Sequence, residues 1–241
     1  MVTITYHGHS CFEIGAGEHN LIIDPFLSGN PTAKVKPEAI KVGYVLVSHG
    51  HGDHWGDTTT IAGRNQAVVI GVNELVQYAK KFGLHGHPLH IGGSAKFPFG
   101  WVKLTIAHHG STLESKEDHG GNPAGLLINI GGRTIYHAGD TGLFLDMQLI
   151  GEMNPIDLAL LPIGDNFTMG PIDAAKAVEF LKPTKVVPMH YNTFDLIKQD
   201  PRQFAELVAK LPVECIIMKP GESLELAEAP PPKLAIGETP E

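Results

Sequence analysis

Six consecutive residues carry the densest chemistry in this chain. The apolar run Tyr44-Val45-Leu46-Val47-Ser48 is followed by His49-Gly50-His51-Gly52-Asp53-His54. Three imidazoles and one carboxylate therefore stand within six residues at the end of a predicted strand. A divalent cation such as zinc takes imidazole nitrogen and carboxylate oxygen at about 2.0 to 2.2 Å, so its ligands must converge on one point. Alternation along an extended backbone lets His49 and His51 project together. The two glycines allow a tight backbone path. Asp53 and His54 then face a second point near the start of the next helix. An ordinary polar turn has no need of four potential ligands at this spacing.

A metal site needs ligands from elsewhere, and the candidates also follow apolar strands. Leu104-Thr105-Ile106-Ala107 leads into His108-His109-Gly110-Ser111. Thr134-Ile135-Tyr136-His137 leads into Ala138-Gly139-Asp140-Thr141-Gly142, and Lys185-Val186-Val187-Pro188-Met189 into His190-Tyr191-Asn192. Strand ends along one sheet edge are rigid points from which distant side chains can meet.

The elements that must position them read as many short strands followed by strand-helix alternation. Predicted strands are 2–6, 11–14, 20–23, 44–48, 67–70, 94–97, 102–107, 124–130, 134–137, 157–161, 185–189, 213–217 and 223–226. Predicted helices are 73–82, starting on an Asn73 cap, then 144–153, 172–181 and 202–211. Two mixed sheets packed together with helices outside satisfy this order, an α/β (α+β) αββα sandwich. One domain over 1–227 is expected, with a Pro-rich, loosely held tail over 228–241.

Composition narrows the function classes. The 241 residues carry a formal charge of −8, which argues against a broad face for a nucleic-acid backbone. No apolar run reaches membrane-span length, and MVTITYHGHS does not read as a signal peptide. Cys11 and Cys215 give no disulfide framework and lie in apolar runs, so burial is the expectation for both. A reduced, soluble, cytoplasmic protein is expected, without a membrane partner and compatible with a homo-oligomer.

The ordered set H-x-H-x-D-H, a later His, G-D-T and a final His resembles the metallo-β-lactamase superfamily. Gly8-His9-Ser10, DPFLSGNP, SHGHGDH, HHGS, YHAGDTG and PMHYNTF resemble its uncharacterised metal-dependent hydrolase branch, related to ascorbate phosphate lactonases. The likeness spans roughly 4–226. It implies a four-layer αββα fold and two metal sites. His49, His51 and one of His108 or His109 would hold the first metal, with His109 preferred because Gly110-Ser111 follows it. Asp53, His54 and His190 would hold the second, and Asp140 would bridge both. Flavin-linked di-iron proteins share the fold, but they carry Glu where this chain has His51, together with a flavodoxin domain.

Two divalent metals, zinc first and manganese, iron or nickel with the same ligands, can turn a shared water into hydroxide at neutral pH. Asp53, His54 and Asp140 are the expected catalytic residues. Two cations against two carboxylates and a hydroxide stay net positive, which suits a small anionic ester, lactone or phosphorylated substrate. The rival readings are a phosphodiesterase or nuclease of the same fold, for which no basic insert is present, and a non-catalytic metal-binding or sensing protein. Asp165, Thr168, His9 and His119 are candidate substrate contacts. Asp24 is expected to orient a ligand histidine. His137 reads as packed or supporting, His7 as a turn residue or pocket wall, and His85, His87 and His90 as surface.

Overall fold

The protein is described by a computed structural model over residues 1–114 and 118–227. The expected tail, 228–241, lies outside the described residues. The first sheet contains β1 (Val2–Gly8), β2 (Cys11–Ala16), β3 (His19–Ile23), β4 (Tyr44–Leu46), β5 (Val68–Val72) and β6 (Gly86–Leu89). The second contains β7 (Ser94–Phe97), β8 (Gly100–Ile106), β9 (Ala124–Ile130), β10 (Arg133–His137), β11 (Leu158–Pro162), β12 (Lys185–Met189) and β13 (Glu214–Cys215). The last strand, β14 (Ser223–Leu226), returns to pair antiparallel with β1 and completes seven strands in the first sheet.

Both sheets follow one plan, antiparallel pairing along one half and parallel pairing along the other. Parallel neighbours need a crossover, and helices supply it. α1 (Gly52–Trp55) and α2 (Thr58–Asn65) link β4 to β5, and α3 (Asn73–Lys81) links β5 to β6. On the other side α4 (Met147–Met153), α5 (Pro171–Leu181) and α6 (Pro201–Val208) connect β10 through β13.

Strand periodicity of two decides which side chains reach which layer. Leu126, Ile128 and Ile130 of β9 join the core between the sheets, whereas Leu127 joins the core under the second-sheet helices. Leu158 and Leu160 of β11 divide from Ala159 and Leu161 in the same way. Helix α5 begins on Pro171 and buries Ala174, Ala177, Val178 and Leu181, an apolar stripe at helical spacing. No helix among the described residues is long and apolar enough to cross a membrane.

Several local expectations need correction. Asn73 is the first residue of α3 rather than its cap, and its side chain accepts from Gln77 Nε2 at 3.2 Å. The helix expected over 144–153 starts only at Met147, and the strand expected over 213–217 shortens to Glu214–Cys215. Strand β6 and helix α2 were not anticipated. β6 is an edge strand that contains Pro88, tolerable only where a missing N–H costs no ladder bond.

Candidate metal centre

The two sheets are stitched together at the edge where the candidate residues lie. Ala124 N donates to Ser48 O at 3.0 Å, and His190 N donates to His9 O at 2.8 Å. His137, fully buried, donates from Nε2 to Ser10 O at 2.9 Å and accepts from Gly139 N at 3.1 Å through Nδ1. It therefore ties β10 to the β1–β2 turn. Gly139 has a φ of 61°, and a Cβ there would meet Ala124 O at 2.6 Å. Only glycine fits this turn, which aims Asp140 inward.

His49 follows β4, His51 occupies the position before α1 without a side-chain capping bond, and Asp53 and His54 lie in its single turn. His49 Nε2 lies 3.0 Å from His51 Nδ1. His49, His51 and His109 form one group of convergent ligand atoms, His49, His54 and Asp140 a second, and His9, Asp53, His54 and His190 a third. Asp140 connects them. Its Oδ2 is 3.5 Å from His109 Nε2, 4.0 Å from His49 Nε2 and 2.9 Å from His190 Nε2, while Oδ1 is 3.3 Å from His54 Nε2. Among the described residues, six buried side-chain polar atoms lack a hydrogen-bond partner, and four of them belong to His54, Asp140 and His190. Buried polar atoms are normally satisfied. Orphaned nitrogens and a carboxylate oxygen crowded together fit a cation as their missing partner.

The supporting contacts fix which ring atoms face inward. Asp24, fully buried with a φ of 45°, accepts from Ser48 N at 2.8 Å and from Ser48 Oγ at 2.7 Å. Because the Ser48 proton goes to Asp24, Ser48 Oγ accepts from His49 Nδ1 at 3.0 Å, leaving His49 Nε2 for a cation. Asp24 also accepts from His54 Nδ1 at 2.8 Å, leaving His54 Nε2 inward. One carboxylate thus orients two histidines.

Burial pushes His49 well below the ordinary imidazole range, and it lowers His51 and His109 as well. These three are neutral and ready to ligate. Burial acts the same way on His54, but Asp140 and Asp24 outweigh it and hold that ring well above the ordinary range. Burial would raise Asp140, yet the neighbouring His190 and His54 hold it well below the usual carboxylate range. Asp53 is likewise held low against its burial, first by the His9 hydrogen bond and then by His54.

A family model described as a beta-lactamase superfamily domain matches residues 3–190. A UPF0173 metal-dependent hydrolase of Bacillus velezensis is 54% identical over 232 residues, covering 93% of this chain and 99% of that protein. The UPF0173 metal-dependent hydrolase YtkL of Bacillus subtilis is 53% identical over 231 residues, covering 92% and 99%. The chain belongs to the UPF0173 family. Within the metallo-β-lactamase superfamily, the solved structure of Igni18, a metallo hydrolase from the archaeon Ignicoccus hospitalis, is similar with a TM-score of 0.86 at 37% identity. That alignment covers 94% of this chain and 99% of the other. The metallo-β-lactamase fold protein YhfI of Bacillus subtilis, at 14% identity and a TM-score of 0.71, shares the fold, with 93% and 100% covered.

In this UPF0173 chain the adjacent histidines diverge. His109 turns toward Asp140, while His108 is exposed and stacks on Phe144 with ring centroids 5.0 Å apart. The expected substrate contacts fall elsewhere than on the cavity wall. His9 is buried beneath Asp53, with Nε2 3.1 Å from Asp53 Oδ2 and Nδ1 2.9 Å from Thr193 Oγ1. Burial, with His190 beside it, lowers His9 to about 4, so the neutral ring donates to Asp53 and accepts from Thr193. Its left-handed φ of 58° turns the ring inward. His119 is exposed and pairs with Thr112 in an isolated bridge. Asp165 and Thr168 shape a loop, and the side chain on the cavity wall is Phe167 between them, together with Phe194. Phe167 and Phe194 were not singled out along the chain, and a large apolar residue inside a polar loop was the available signal.

The remaining assignments are structural. His7 bonds Glu13 at 3.1 Å, His85 and His90 are exposed, and His87 is half-buried against Phe97. Cys11 is buried but Cys215 only half-buried, and burial pushes both thiols up, Cys215 to about 11.

Proposed function

We propose that this metal-dependent hydrolase holds two divalent cations, zinc before manganese, iron or nickel, and hydrolyses a small ester or lactone. His49, His51 and His109 would hold the first cation, and Asp53, His54 and His190 the second, with Asp140 shared. The supporting observation is Asp140 itself, one carboxylate within 4.0 Å of imidazole nitrogens from both sets. When bound, such a pair lowers the pKa of a shared water and stabilises negative charge that develops on the attacked group.

The chain's own residues prepare the site. Burial keeps the first three imidazoles neutral. Asp24 orients His49 through Ser48 and His54 directly, and His9 fixes Asp53. Asp53, His54 and Asp140 act by holding and partly neutralising the cations. In the reaction the water oxygen bonds to the carbonyl carbon, and the bond from that carbon to the leaving oxygen breaks. One water proton ends on the leaving oxygen as an alcohol, the other is released to solvent, and the acid is left as a carboxylate. The cation pair against two carboxylates keeps a positive surplus, which suits a scissile group that carries or gains negative charge. We rank lactones first among candidate substrates because the sequence motifs resemble the branch related to ascorbate phosphate lactonases.

Elemental analysis of protein purified without chelator, followed by a hydrolysis screen of lactones, esters, thioesters and phosphodiesters, tests this reading. About two cations per chain, with turnover of an ester or lactone that chelator abolishes, is expected. No bound metal after zinc or manganese is supplied would overturn the cation pair. Turnover of phosphodiesters alone would overturn the substrate class.

A further inference from the structure

A cavity of ≈ 240 Å³ opens over the ligand cluster, and its floor is five of the ligand residues. The rest of its wall is two phenylalanines, Phe167 and Phe194. These two residues are 50% and 40% exposed, and neither belongs to a core that would account for a large apolar side chain there. None of the described residues lining the cavity is lysine or arginine.

Both rings are held in place by the same loops that carry the ligands. Phe167 follows Asp165 and Asn166, two successive non-glycine residues in left-handed conformations with φ of 59° and 33°. Such backbone is disfavoured for L-residues and persists where surrounding bonds enforce it, commonly at functional sites. Here Asp165 N donates to Met169 O at 3.0 Å, and Met169 N donates to the carbonyl of Thr141, the neighbour of Asp140, at 2.9 Å. At the other end Ile163 N donates to the carbonyl of Met189, the neighbour of His190, at 3.0 Å. Phe167 is therefore presented at the tip of a loop hung between two ligand-bearing turns. Phe194 stands four residues after His190, its ring edge-on to His9 at 5.5 Å and tilted against Phe26 at 6.2 Å.

We infer that Phe167 and Phe194 form an apolar clamp selecting esters or lactones whose substituent beside the scissile bond is an alkyl chain or ring, over phosphorylated or polyhydroxylated ones. This rests on the hydrolytic reading above and narrows its substrate class. The reacting carbonyl lies over the ligand floor, where charge develops. The substituent lies between the two rings, where removing apolar surface from water favours binding and a hydroxyl or phosphate would lose its hydration without a partner.

The test uses the metal-loaded full chain with γ-lactones bearing no, a propyl or a hexyl side chain, and with a phosphorylated hydroxylactone. In the native protein kcat/KM should rise about tenfold or more from the unsubstituted to the hexyl lactone, mostly through KM, with the phosphorylated lactone poorest. In Phe167→Ala/Phe194→Ala that ratio should collapse toward one while metal content is retained. Preference for the phosphorylated lactone, a flat chain-length series, or a ratio that survives the double substitution would overturn the clamp. Calorimetry with hexanoate and acetate decides the matter without turnover. Hexanoate should bind about tenfold tighter to the native protein and lose that margin in the double variant. If no ester or lactone is turned over but the hexanoate margin behaves this way, the ester-and-lactone reading falls and the apolar clamp stands. Equal binding of the two carboxylates to the native protein would overturn the clamp.

Discussion

The group formed by His49, His51 and His109 and the group formed by Asp53, His54 and His190 meet at Asp140, yet they are stabilised differently. The first is three imidazoles that burial keeps neutral, and two of them are separated by a single glycine. It adds no buried charge, and among the described residues its only orienting bond from a neighbouring side chain outside the cluster is His49 to Ser48. The second mixes carboxylate with imidazole and rests on another tier, with Asp24 under His54 and His9 under Asp53. The His9 carbonyl in turn receives His190 N at 2.8 Å and the Tyr6 hydroxyl at 3.1 Å. Neutral ligands can be assembled from a strand end, whereas buried charged ligands need partners that fix both their protons and their rotamers.

The sharpest way to break this comparison is Asp140→Asn, which keeps the shape and removes the shared charge. Turnover of an ester or lactone should fall about 10²-fold or more, and the second cation should be lost while circular dichroism stays native. Full metal and full rate would show that the two groups do not depend on Asp140. Next comes the adjacent pair. His109→Ala should weaken the first cation by about 10²-fold, and His108→Ala by less than about threefold, as read by competition with a chelating dye. The reverse ranking would place the strand end one residue out.

Asp24→Asn is expected to cost about 10- to 100-fold in affinity for the second cation and less for the first, since His49 reaches Asp24 only through Ser48. His9→Ala should sit at the lower end of that range, because Asp53 keeps its backbone position in α1. Equal losses at both cations in the Asp24 variant would erase the distinction between the groups.

The smallest effect is protonic. Below its raised pKa, metal-free His54 carries a proton that a cation must displace, whereas the first group's rings are already neutral. Lowering the pH therefore weakens the second cation by about tenfold per unit and the first less steeply. Calorimetry in buffers of different ionisation enthalpy should find about one more proton released by the second equivalent than by the first. Equal proton release would contradict the assignment of charge.

Much of the site was legible along the chain. The H-x-H-x-D-H run, the strand ends before His109, Asp140 and His190, and the carboxylate at Asp24 are the residues the structure brings together. The cavity wall was not legible. Asp165, Thr168 and His119 have suitable chemistry, but the left-handed residues 165 and 166 turn Phe167 to the cavity instead. His9 was expected near substrate, and its own left-handed backbone sends it under Asp53. Asp, Asn and His tolerate such a conformation more readily than most residues, but which of them adopts it, and where the neighbouring side chain then points, is set by surrounding contacts.

By itself the sequence determined what depends on near neighbours. Alternation along β9 and β11 assigned side chains to two layers, the stripe on α5 assigned its buried face, and a two-residue spacing brought His49 beside His51. Only the tertiary structure decided the contacts between distant segments. His54 meets Asp24 across 30 positions, His9 meets Asp53 across 44, and His9 meets Thr193 across 184. The first two pairings join strand ends of one sheet and the third joins the two stacked sheets at their loop-bearing edges, and local preference carries no information about which loops will face one another.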